Sequence, residues 1–115
     1  MQDPLARGIT LFNSGCYFEA HEAFEDLWRA SEGELRVVYQ GVVQACAGLV
    51  KHQRGEPASA LTLLGKGLGK LEAAPASCRP GIDVAGLARA LNEVVRAIDA
   101  RVSFAPPVME PRADL

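Results

Sequence analysis

Apolar residues recur every three or four positions along most of the chain, and glycine and proline interrupt the recurrence at a few places. That spacing predicts helices, because 3.6 residues per turn brings such positions onto one face. Five segments result. Asp3-Pro4 pairs a capping side chain with proline at the first helical position, so a helix starts there and runs to about Asn13, before Ser14-Gly15. The second starts near Tyr17 and stops near Ser31-Glu32-Gly33; the third runs from Glu34 to Arg54 and stops at Gly55. Glu56-Pro57 opens a fourth, to about Ala73, and Ala74 to Pro80 reads as a loop. Asp83 caps the fifth, which carries Val84, Leu87, Leu91, Val94, Val95, Ile98 and Val102 as a helical stripe to about Ser103. No alternating strand pattern of useful length occurs.

The third segment is apolar almost all round, which makes it the central helix. Gly41, Ala45 and Gly48 lie on one side of it and let a neighbour come close. Glycines 65, 67 and 69 weaken the fourth helix by roughly 1 kcal/mol each relative to alanine, which suggests further close packing. GCYFEAHEAF at 15–24 echoes GEPASALTLL at 55–64: a turn glycine, then the start of a second helix. The first block is similar to the turn of a tetratricopeptide unit. The expected fold is all-α: a five-helix bundle of two stacked helical hairpins capped by the C-terminal helix. Residues 1–103 form the domain. Residues 104–115, FAPPVMEPRADL, form a proline-rich tail with little to bury, extended or disordered.

Composition narrows the function more by exclusion than by pointing. At 115 residues, 49% hydrophobic and 23% charged, the chain is one ordinary globular domain. Net charge is −2 without a dense basic block, so no nucleic-acid face is expected. No apolar run reaches membrane-spanning length and no signal peptide is visible, so no membrane partner and a cytoplasmic location are expected. Cys16, Cys46 and Cys78 are scattered, which argues against disulfides or a zinc knuckle; Cys46, in VVQACAGLV, reads as a core thiol.

Candidate chemistry concentrates in HEAFEDLW at 21–28. On a helix, His21 falls inside the stripe of Tyr17, Ala20, Phe24 and Trp28, and Glu25 lies at its edge. Glu22 and Asp26 take the solvated face, with Arg29 placed to pair with Asp26. Inward polar groups must find a charge, a hydrogen bond or a metal. His21 and Glu25, at i and i+4, can share one divalent ion, with further ligands from Gln40, Gln44 or His52 of the third helix. Tyr17 and Trp28 would wall the pocket, and in a catalytic site Glu25 would be the general base. More simply, the same pair forms a structural network with a neighbouring glutamine, with no ion and no turnover. Gln40 and Gln44 can form a solvated stripe with Lys51, and His52 can serve as a helix-end cation.

These residues resemble the family catalogued as domain of unknown function 309, found in small bacterial and archaeal proteins. Its motif of histidine, three residues, glutamate, two residues and an aromatic is matched by His21, Glu25 and Trp28. Gln40-Gly41, Gln44, His52 and the Gly55 turn follow the same pattern. The resemblance implies a small helical bundle and a motif suggested to bind metal, and brings no activity with it. Two functions therefore stand: binding of a divalent metal or small ligand at the His/Glu site, or a protein-interaction or self-association module, including a homodimer, in which that pair is structural.

Overall fold

A computed structural model describes residues 3–112, and the last three residues of the proline-rich tail lie outside it. The described chain is all-α, with α1 Pro4–Asn13, α2 Tyr17–Ala30, α3 Gly33–Gln53, α4 Pro57–Glu72 and α5 Val84–Ala100. Among the described residues the only β pairing is an isolated antiparallel bridge between Ile82 and Pro111. Asp3 accepts a hydrogen bond from the Ala6 N–H, and Asp83 accepts one from the Gly86 N–H, so both predicted caps form.

Each helix packs on the next in sequence, and α3 lies between α2 and α4. Ten of its residues are buried, including Val38, Val42, Cys46 and Leu49. On its α4 side the predicted small residues work as spacers. A Cβ on Gly48 would stand 2.8 Å from Leu64 Cγ, and one on Gly67 would stand 2.6 Å from the Gly41 carbonyl oxygen. Gly65 and Gly69 differ: a Cβ there meets nothing within 4 Å. Only Gly67 of the α4 glycines is a packing residue.

The two turns in the forty-residue echo close in the same way. Gly15 has φ +78° and Gly55 φ +74°. Gly15 N donates to Phe12 O at 3.0 Å and Cys16 N to Leu11 O at 2.9 Å; Gly55 N donates to His52 O at 3.0 Å and Glu56 N to Lys51 O at 2.9 Å. Both are Schellman motifs, in which the left-handed residue is most cheaply glycine. α5 ends by the same pattern, with Arg101 at φ 58° in the glycine position.

After α5 the chain runs back along the bundle. Met109 is fully buried in the main core, and Phe104 packs against that core. Met109 backbone groups bond to Asn13 of α1, Glu110 O accepts from Asp83 N at 2.9 Å, and Arg112 N donates to Gly81 O at 2.9 Å. The expectation of little burial in this tail therefore fails at Met109. Extended backbone alone does not leave a segment idle when its amides find partners. The loop before α5 is held as well, by a 2.8 Å hydrogen bond from the Tyr39 hydroxyl to Pro80 O.

Candidate functional site

His21 and Glu25 sit side by side on α2, one turn apart. His21 Nε2 lies 3.4 Å from Glu25 Oε2, with side chains 26% and 24% exposed. They are rim residues, half-buried, and no charged or polar residue among those described is fully buried. Phe18 stacks on the His21 ring at 6.1 Å between centroids. Glu22 and Asp26 are exposed, as the helical phase predicts. Arg29 departs from its expected pairing with Asp26: its guanidinium binds Glu25 Oε1. The i, i+4 spacing lets a long arginine reach back one turn along the helix to this carboxylate.

Three buried polar atoms on α2 and α3 have no hydrogen-bond partner among the described residues: His21 Nδ1, Trp28 Nε1 and Gln44 Oε1. Such atoms are uncommon in folded proteins, and each costs about 1–3 kcal/mol. The register of the two helices relates them. The Phe24 and Tyr39 rings meet at 6.4 Å, and the Arg36 guanidinium lies 5.1 Å over the Trp28 ring. Counting back from those pairs along two antiparallel helices brings His21 level with Val42 and Val43. Gln44 is then displaced along the axis by about 1.5–3 Å. Trp28 lies about 10 Å further along α2, beneath Arg36. Gln40 and Gln44 are both partly buried, on the same face of α3 as Lys51, which pairs with Glu56 at 3.8 Å.

His52 and Tyr17 belong to a different place. The His52 ring packs on Phe104 at 4.9 Å, and the Tyr17 ring packs edge-on against Phe12 at 5.4 Å. Tyr17, His52, Phe104 and Asn13 line a depression of about 390 Å³ between the first turn and the returning tail. Burial raises the Tyr17 hydroxyl pKa, and the nearby Cys46 thiol adds to the shift. His52 is eight residues beyond Gln44, about 12 Å along α3, which separates it from His21. Tyr17 and His52 thus line the same depression, and His21, Glu25, Trp28 and Gln44 are not among its lining residues. Phe104 was missed because nothing in its own segment signals where the tail lands. Arg29 as the partner of Glu25 was legible from spacing.

Among the described residues no group of three or more histidine, cysteine, aspartate or glutamate side chains is placed to hold a metal ion. No helix among them is long and apolar enough to cross a membrane. No curated protein matches the chain. Residues 5–63, which carry the histidine–glutamate–tryptophan motif, the paired glutamines and the Gly55 turn, match a family described as Domain of unknown function (DUF309). That span holds α1, α2, α3 and the start of α4, and the chain belongs to the DUF309 family.

Proposed function

We propose that the domain is a ligand-binding module whose site is the His21–Glu25 pair with Gln44 beside it, and that its ligand is a divalent cation. The observation that carries this reading is the approach of His21 Nε2 to Glu25 Oε2 at 3.4 Å, with no hydrogen bond between them. Two ligands on one tetrahedral ion at 2.0–2.1 Å stand about 3.3 Å apart, so the pair has the separation of neighbouring ligands. The unpartnered amide oxygen of Gln44, displaced by about 1.5–3 Å along α3 from the level of His21, is offered as the third donor. One imidazole, one carboxylate and one amide oxygen fit an open site completed by water, not a closed structural one. Arg29, 63% exposed, is free to leave Glu25 when a cation arrives.

The test is calorimetric titration of tag-free protein with zinc and with manganese, wild type beside His21→Ala and Glu25→Gln. One ion per chain, weakened at least tenfold in both variants, supports the site. No ion in the wild type, with a lower melting temperature for His21→Ala, makes the pair a structural clasp between helices.

A second reading has its own support. Phe18 and Val37 are exposed large apolar residues, at 50% and 45%, on the same two helices. The matching Schellman turns at Gly15 and Gly55 favour a pair of tetratricopeptide-like hairpins, and such proteins hold peptides or second copies. Light scattering across a concentration series tests it: a dimer lost in Phe18→Ser supports self-association through this face, and a monomer at every concentration removes it.

A further inference from the structure

Another depression lies in residues 71–112, beyond the span matched by the family. The end of α4, the loop to α5, the first turns of α5 and Arg112 enclose about 520 Å³. That is within the range of small-molecule pockets, roughly 300–1,000 Å³. Leu71, Ile82 and Ala88 are buried and supply an apolar floor. Arg79, Arg89 and Arg112 supply the rim.

The charge balance is unusual for this protein. The chain as a whole carries −2, yet this lining holds three arginines against one acid, Glu72. Glu72 is itself engaged, accepting from Asn92 Nδ2 at 3.2 Å. Among the described residues none of the three arginines forms an ion pair. Arg79 is turned to loop carbonyls, donating to Ala76 O at 2.7 Å. Among the described residues the side chains of Arg89 and Arg112 take no hydrogen-bond or ion-pair partner, which leaves their planar forks for a ligand. A guanidinium fork matches a carboxylate or phosphate in two parallel hydrogen bonds. An anion held there would also relieve repulsion between the cations.

We propose that this pocket binds a small organic anion: a carboxylate or phosphate group held by Arg89 and Arg112, on an apolar body that rests on Leu71, Ile82 and Ala88. The site is independent of the His21–Glu25 pair.

The experiment is an amide-resonance titration of the full chain with four probes: 4-phenylbutanoate, its neutral amide, phenyl phosphate and inorganic phosphate. Arg89→Gln, Arg112→Gln and His21→Ala are titrated in parallel. The expected result is saturable shifts at residues 71–92 with 4-phenylbutanoate or phenyl phosphate, whichever binds tighter naming the anion. Affinity falls at least tenfold in each arginine variant, falls with added salt, and is unchanged in His21→Ala. Inorganic phosphate binds more weakly than either apolar anion. The proposal is overturned if none of the probes saturates, if the neutral amide binds as tightly as the acid, if inorganic phosphate binds as tightly as the apolar anions, or if both arginine variants bind like wild type.

Discussion

Asn13 and Met109, 96 residues apart, exchange two hydrogen bonds: Asn13 Nδ2 donates to Met109 O at 2.9 Å, and Met109 N donates to Asn13 Oδ1 at 2.8 Å. One side-chain amide thus satisfies both backbone groups of a residue whose own side chain is fully buried. Two substitutions separate the parts. Asn13→Ala leaves the Met109 amide and carbonyl unpaired at a partly buried site, an expected loss of about 1–3 kcal/mol. Met109→Ala leaves the hydrogen bonds and removes core volume, an expected loss of about 2–5 kcal/mol. Urea unfolding measures both, and wild-type stability in Met109→Ala would mean that the segment does not pack in solution.

The α4 glycines split into two kinds, with opposite expected effects. Gly65→Ala and Gly69→Ala add a methyl to open space and gain helix propensity, each stabilising by up to about 1 kcal/mol. Gly67→Ala forces a Cβ to 2.6 Å from the Gly41 carbonyl, so α3 and α4 must separate and stability falls. Thermal melts of the three single variants decide it, and a Gly67→Ala protein as stable as Gly65→Ala would contradict the helix contact.

Arg101 holds a left-handed conformation, at φ 58°, that glycine adopts without steric cost. Arg101→Gly should raise stability by about 0.5–1 kcal/mol, even though it removes a side chain. A destabilised variant in chemical unfolding would show that the arginine makes a compensating contact in solution.

Cys46 predicts a pH dependence. Full burial pushes its thiol pKa far above the ordinary 9.0, so the folded protein keeps this proton where the unfolded chain loses it. The unfolded state then binds fewer protons, and stability falls as pH rises above about 9, by up to about 1.4 kcal/mol per pH unit. Cys46→Ala lacks this component. Its stability, measured by urea unfolding between about pH 8 and 10.5, should fall less steeply than that of the wild type, whatever its absolute value. The Tyr17 hydroxyl, raised mainly by burial, acts in the same direction above its ordinary 10.0 in both proteins; the part of its shift that Cys46 causes is lost with the thiol, which also makes the variant's fall less steep. With a thiol reagent at neutral pH, the partly exposed Cys16 and Cys78 should react before Cys46, which becomes reactive only on unfolding.

Most of the helical frame is legible in the sequence because its signals are local. Asp3-Pro4, the Gly15 and Gly55 turns and Asp83 each act within a few residues, and each is found where expected. Gly41 and Gly48 announced a close neighbour, and α4 fills that place. The candidate site was legible only in part. The helical phase of α2 places His21 and Glu25 on one edge, but phase alone does not say how deep that edge lies, and the pair is rim rather than interior. Phase also carries no information about the tail. Met109 is one apolar residue in a proline-rich stretch without periodicity, and its burial depends on chain ends meeting across the fold. For the same reason the pairing of His52 with Phe104 had no local sign.

The returning tail also sets an order of events. α1 and α2 can pair as soon as the first thirty residues are free, but the Asn13 amide has no Met109 to hold until the chain past α5 has been synthesised. A nascent chain on the ribosome therefore carries α1 with one side of its C-terminal turn unsealed. Once the helices have packed, residues 101–108 are all that separates α5 from Met109, so the clasp closes last, as a short loop on a formed bundle. A chain cut short after α5 is thus a snapshot of the last stage before completion, with its helices formed and its seam open.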